Sequence, residues 1–132
     1  QVNVASQYGA AQIFNPAASD KIVLITGFTI HSDTNIDFGY GRYDTELSHD
    51  VTSTNVDKIG NNSDNPVSNF HLDYYTSIFL SGCNTGSFST YEHFYYGNFK
   101  SNPITLNADE GFIIQLLNVN SKLNVAINFI EI

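Results

Sequence analysis

Residues 21–32 read KIVLITGFTIHS, and this stretch decides the fold class. β-Branched and aromatic side chains dominate it, which favours an extended strand over a helix. Strand alternation puts every second side chain on one face, namely Ile22, Leu24, Thr26, Phe28 and Ile30. The residues between them lie on the other face. The first half of the stretch is apolar on both faces, so we expect it to be buried on both sides.

Similar short segments occur along the whole chain, and Asn, Gly, Ser and Asp separate them at intervals of roughly 8 to 12 residues. The predicted strands are residues 9–14, 21–32, 35–43, 68–76, 78–80, 91–99, 104–106, 112–117 and 122–132. Two polar stretches, residues 48–66 and 81–90, are predicted to be loops. The pattern predicts one all-β domain over residues 1–132, an antiparallel β-sandwich and more specifically a jelly roll of about eight strands.

Alternation within these strands also predicts the core. We expect it to contain Leu24, Phe28, Ile114, Leu116, Val125, Ile127 and Phe129. Gly111 is expected in a tight connection where φ is positive. Gly39 and Gly41 indicate a bulge or a close backbone approach in the third strand.

The charge of the chain argues against two classes of partner. Thirteen Asp and Glu against five Lys and Arg give a formal net charge of -8, and this sign of charge repels nucleic-acid phosphates. No apolar run reaches the roughly 20 residues that a membrane helix needs. We therefore expect no nucleic-acid and no membrane partner.

Amides and hydroxyls take the place of charges in this sequence. Only 14% of residues are charged, whereas Asn alone occurs sixteen times, a composition usual for proteins outside cells or in large assemblies. Cys83 is the one cysteine, so a disulfide within the chain and a Cys-based metal site are both excluded. Gln1 opens the chain and Met is absent, so we expect a processed or trimmed fragment.

Three pieces of the chain carry a family resemblance. Residues 15–19 (NPAAS) are followed by the strand 21–25 (KIVLI), residues 103–112 read PITLNADEGF, and the terminal strand ends in NFIEI at 128–132. In this order they resemble small β-sandwich virion proteins of tailed phages, such as head decoration proteins and fibre domains. The resemblance covers residues 1–32 and 103–132.

The resemblance implies a structural role rather than an enzymatic one. A member of this group would form a homo-oligomer, with a trimer favoured, on the virion surface outside the cell. It would bind capsid or other virion proteins and would need no cofactor. Residues 34–100 have no counterpart in the resemblance and would carry the individual binding surface.

Candidate sites for chemistry are weak in this sequence. Asp33, Asn35 and Asp37 have the alternating spacing of a calcium loop, but Phe38 stands where the loop needs Gly, and the same spacing describes the solvent face of a strand. The four His residues show no zinc-site spacing, and no Gly-x-Ser-x-Gly nucleophile motif occurs. We therefore expect no enzyme and no metal, with calcium at these three residues as the one metal alternative.

Tyrosine gives the most specific functional signal. Tyr74, Tyr75, Tyr91, Tyr95 and Tyr96 cluster in two stretches next to the unusual central region. Such residues fill a sandwich core, line a subunit interface or bind a glycan, and interfaces concentrate aromatics while losing charge. We expect these five residues to contact an identical subunit. The alternative function is a carbohydrate-binding module or lectin-like domain, and a hydrolase fragment is a weaker third hypothesis.

Overall fold

The computed structural model describes residues 7–31, 37–47, 67–78, 87–89, 94–119 and 124–132. In this part of the chain every regular element is a strand, and none is a helix. The nine strands are β1 (Tyr8–Asn15), β2 (Val23–His31), β3 (Asp37–Arg42), β4 (Asn69–Tyr75), β5 (Ser87–Ser89), β6 (Phe94–Asn98), β7 (Ile104–Leu106), β8 (Glu110–Leu116) and β9 (Asn124–Glu131). The predicted all-β class is confirmed.

Two antiparallel sheets make up the domain. The five-stranded sheet has the order β4-β1-β8-β3-β5. In the four-stranded sheet β2 is central, β9 runs along one side of it, and β6 and β7 follow one another along the other side. Strand β1 pairs with β8, and β2 and β7, which lie between them along the chain, pair with each other. This is the pairing of a rolled antiparallel ribbon.

One hydrophobic core joins the two sheets. It combines residues of the five-stranded sheet, Ala11, Ile13, Phe38, Leu72, Phe112, Ile114 and Leu116, with residues of the four-stranded sheet, Val23, Ile25, Phe28, Ile30, Leu106 and Phe129. Two sheets that bury their inner faces against each other form a sandwich. The predicted β-sandwich is therefore confirmed.

A register shift in β2 explains the one wrong residue in the predicted core. Ile25 and Gly27 oppose the consecutive residues Phe129 and Asn128 of β9, so Thr26 is an extra residue, as in a β-bulge. The shift reverses the alternation, and Phe28 therefore faces the same side as Ile25. Leu24 points outward and is half-buried, contrary to the prediction. The other predicted core residues are buried or, for Val125 and Ile127, packed against the core.

Phe28 lies at the centre of the core. Its ring is within 5.1 to 6.3 Å, centroid to centroid, of five aromatic rings from both sheets and from the chain after β6, namely Phe38, Tyr40, Tyr95, Phe99 and Phe112. The opposite residue on β6 is Gly97, where an added Cβ would lie 2.4 Å from the Phe28 ring. A side chain at that position is therefore incompatible with this ring.

The outer face of the five-stranded sheet is covered by the chain itself. Residues 43–47 cross it, and Leu47 packs with Ala10 and Ile113. The Gln12 amide holds this crossing segment, donating to Tyr43 O and Thr45 O at 3.0 Å and accepting from Leu47 N at 2.9 Å. Gln12 is buried, and its amide links β1 to residues 43–47, which cover this part of the outer face.

Two local predictions were wrong. Residues 87–89 form strand β5 against β3, although residues 81–90 were predicted to be a loop. Positive φ occurs at Asp109 (67°) rather than at Gly111, which lies within β8. Gly111 is needed for space, because an added Cβ there would lie 2.4 Å from Tyr43 O. The predicted loop 48–66 lies outside the described residues. Of the predicted strand 78–80, only Ile78 is described.

Replacing Phe28 with Ala should lower the free energy of unfolding by about 3–5 kcal/mol, because it leaves a large cavity among five rings. Denaturant unfolding measures this change. Phe28→Leu, which keeps most of the buried volume, is the control and should cost clearly less. A loss under about 1 kcal/mol for Phe28→Ala would contradict the position of this ring at the centre of the core.

Candidate functional site

The four described tyrosines of the predicted interface do not lie on one surface. Tyr74 on β4 is 4% exposed. Tyr95 on β6 is half-buried, and its ring lies 4.8 Å from Phe38 and 5.8 Å from Phe28, centroid to centroid. Both side chains point between the sheets, so they contribute to the core rather than to an outer contact. Tyr91 lies outside the described residues.

Tyr75 and Tyr96 lie on opposite sides of the molecule. Tyr75 belongs to the five-stranded sheet and packs against the cluster of Ala10, Leu47 and Ile113 on its outer face. Tyr96 belongs to the four-stranded sheet, points outward and is 44% exposed. Tyr75 and Tyr96 therefore do not share one surface, because β4 and β6 belong to different sheets. Contact of these residues with an identical subunit stays a prediction. Among the described tyrosines of this set, Tyr96 is the one whose side chain is exposed.

Burial affects the ionisation of Tyr40, which lies beside Phe28 in the core. Desolvation raises the pKa of the Tyr40 hydroxyl, and electrostatic interaction with Tyr95 raises it further. The unfolded chain loses this proton at a lower pH than the folded chain. Tyr40 therefore contributes no pH dependence to stability below the ordinary tyrosine pKa, and its deprotonation favours unfolding as the pH rises above that value.

The calcium candidate is described only in part. Asp33 and Asn35 lie outside the described residues. Asp37 begins β3, where its backbone N donates to Asn118 Oδ1 at 2.5 Å and its carbonyl accepts from Leu117 N at 2.8 Å. In the part of the chain that the structure describes, no three His, Cys, Asp or Glu side chains come close enough to hold a metal ion.

The outer face of the four-stranded sheet is largely exposed in the described part of the chain. Its described side chains are Leu24, Thr29 and His31 on β2, Tyr96 and Asn98 on β6, Thr105 on β7, and Asn124, Ala126, Asn128 and Ile130 on β9. Seven of these ten are exposed and three are half-buried. We call this set of residues the open face.

The open face carries no Asp, Glu, Lys or Arg among its described residues, although the chain has a net charge of -8. Its polar groups are Asn amides and Thr hydroxyls. Near its centre the Tyr96 hydroxyl lies 3.6 Å and Asn128 Nδ2 3.8 Å from the position that a Cβ on Gly27 would take. The open face thus combines an absence of charge among its described residues with one exposed aromatic ring, and both are features that protein interfaces share.

Alternation in the last strand could have revealed this face. Asn124, Ala126, Asn128 and Ile130 occupy every second position, and none is charged. The number of tyrosines points elsewhere, because it does not reflect the absence of charge in this strand. Only the pairing of β9 with β2 and of β2 with β6 shows that these short segments share one face.

The glutamate of the terminal strand has a structural role. Glu131 is 3% exposed and accepts hydrogen bonds from Ser68 N at 2.9 Å, from Ser68 Oγ at 2.7 Å and from Val67 N at 3.0 Å. These bonds attach the start of β4 to the end of β9, and therefore one sheet to the other. A buried carboxylate surrounded by donors is a fixed structural contact here.

Comparison with known proteins finds no matching family model, no matching curated protein and no matching solved structure. Among the described residues, no helix is long and apolar enough to cross a membrane.

Replacing Glu131 with Gln should lower the free energy of unfolding by about 1–3 kcal/mol, because an amide nitrogen then faces a backbone donor in a buried place. Thermal or denaturant unfolding measures the loss. Glu110→Gln is the matched control, since Glu110 forms a partly exposed ion pair with Arg42 at 2.7 Å and should change stability much less. Equal effects of the two changes would contradict the role assigned to Glu131.

Proposed function

We propose that this chain is a non-catalytic structural module that forms a homo-oligomer on the surface of a particle, as in the virion proteins that its sequence resembles. The open face is the observation that carries the proposal. The outer face of the five-stranded sheet is already covered by residues 43–47, whereas the four-stranded sheet presents an uncharged surface to a neighbour. Capsid or other virion proteins are the further partners that the resemblance implies.

Charge supports an identical subunit as the neighbour. Two copies with a net charge of -8 repel each other at most points of their surfaces. The open face is where two copies can approach without bringing like charges together. Its amides and hydroxyls also lose less solvation free energy on burial than carboxylates would. Self-association is therefore expected to use the four-stranded sheet.

A carbohydrate-binding module is the second candidate, and one observation favours it. Tyr96 offers an exposed ring, and the amide of Asn128 lies beside it above Gly27. Stacking on an aromatic ring together with hydrogen bonds to amides suits a neutral sugar. On this reading the isolated chain is a monomer that binds an oligosaccharide through Tyr96.

Replacing Ala126 with Glu should weaken self-association about tenfold or more, because it puts a like charge on the open face of every copy. Analytical ultracentrifugation of the unmodified chain should show an oligomer, and the variant should show a lower mass. Ala17→Glu is the matched control, since Ala17 is exposed in the turn after β1, and it should leave the mass unchanged.

One outcome would contradict the proposed function, and another would contradict the role of the open face in it. A chain that is monomeric at all concentrations has no homo-oligomeric role, and sugar binding that is lost in Tyr96→Ser would then support the carbohydrate-binding module. An oligomer whose mass is equally unaffected by Ala126→Glu and by Ala17→Glu would place the contact away from the four-stranded sheet.

A further inference from the structure

The edges of the two sheets are protected to different degrees. Natural proteins protect an exposed edge by keeping the strand short or by placing charges on it. At the edges of this sandwich β5 and β7 have three residues each and β6 has five. β4 has seven residues but includes His71 and Asp73, with the Glu46 carboxylate 2.8 Å from His71 Nε2. Each of these edges is therefore short or charged.

β9 is the exception. It has eight residues, and among the described strands it pairs with β2 alone. From Asn124 to Ile130 it contains no charged residue, no Pro and no Gly. A long, uncharged edge of this kind is a template on which another strand can pair.

The hydrogen-bond pattern shows which backbone groups the edge presents. Ile22 and Ile132 exchange both N–H···O bonds at 2.9 Å, so the N–H and C=O of Ile132 point towards β2. Because the direction alternates along a strand, Ile130, Asn128 and Ala126 also point towards β2. The N–H and C=O groups of Val125 and Ile127 therefore point away from β2, towards the edge.

The side chains at the edge favour the same contact. Val125 and Ile127 point between the sheets and are only half-buried, although they pack against the core. A strand added next to β9 would cover them with side chains of the same kind. At the other surface of β9, Asn124, Ala126 and Asn128 are exposed and uncharged, so they do not repel their counterparts.

We propose that two copies of this chain pair through their β9 edges, antiparallel and about a two-fold axis, so that their four-stranded sheets become one continuous sheet. This inference rests on the proposed function and adds a contact between copies at the β9 edge of the four-stranded sheet, beside the open face. A two-fold contact uses the same strand on both sides, and β9 meets the requirement that the surface be complementary to itself. The two open faces then adjoin and form one larger uncharged surface.

Amide hydrogen exchange followed by NMR tests the pairing directly. At concentrations where the chain is oligomeric, the amides of Val125 and Ile127 should exchange as slowly as those of Ala126 and Asn128, because both sets are hydrogen-bonded. On dilution to the monomer, exchange at Val125 and Ile127 should accelerate at least tenfold more than at Ala126 and Asn128.

A variant gives a second measurement by mass. Val125→Pro removes an outward N–H, which the bond to β2 does not use, and should reduce the oligomer to the monomer. Val125→Ala, which keeps the N–H, is the control and should retain the oligomer. The exchange measurement still decides the matter if the Pro variant does not fold.

The outcomes separate the edge contact from the proposed function. An oligomer in which Val125 and Ile127 exchange rapidly would overturn edge pairing and leave the homo-oligomeric function standing, and so would an odd-numbered assembly such as a trimer. Slow exchange at these two amides that persists in the monomer would mean that the chain covers its own edge, which also overturns the pairing. A chain that is monomeric at every concentration would overturn both proposals.

Discussion

The bulge at Thr26 is the constraint on which the rest of the structure depends. Strict alternation along β2 would place Ile25 and Phe28 on opposite faces of the sheet, and one extra residue places both in the core. The same shift leaves Gly27 on the outer side, where Gly97 O lies 2.7 Å from the position of an added Cβ. The residue after the bulge must therefore be glycine. Residues 21–32 thus contain both the pattern that predicts a strand and the bulge that interrupts its alternation.

The position of Phe28 in turn affects how the two sheets pack against each other. Its ring contacts aromatic side chains of both sheets, so the position of β2 fixes how far β3 and β8 lie from it. Gly97 on β6 must lack a side chain for the ring to fit. Glu131 then fastens the far end of the four-stranded sheet to the start of β4. Aromatic contact in the middle and a buried carboxylate at one end together hold two sheets that no disulfide joins.

The fold could be predicted from the sequence further than the site could. Strand positions follow from local composition, and β1, β2, β7 and β8 occur close to where alternation places them. The prediction for Leu24 was wrong because the bulge is visible only in the backbone pairing of β2 with β9. The alternation of side chains in the sequence carries no information on that pairing. Tyr75 and Tyr96 likewise belong to similar aromatic segments of the sequence, yet the pairing of their strands with β1 and with β2 puts them on opposite sides of the molecule. A surface assembled from several strands is visible only once the strand order is known.

The amide-rich composition acquires two different uses in this architecture. On the covered side, Gln12 is buried and its amide forms hydrogen bonds with three backbone groups of residues 43–47. On the open side, Asn124 and Asn128 are exposed to solvent. Amides keep such a surface hydrated in the free chain, and they cost less to desolvate than carboxylates when a partner covers them. Among the described residues of the open face none is charged, although the chain as a whole has a net charge of -8.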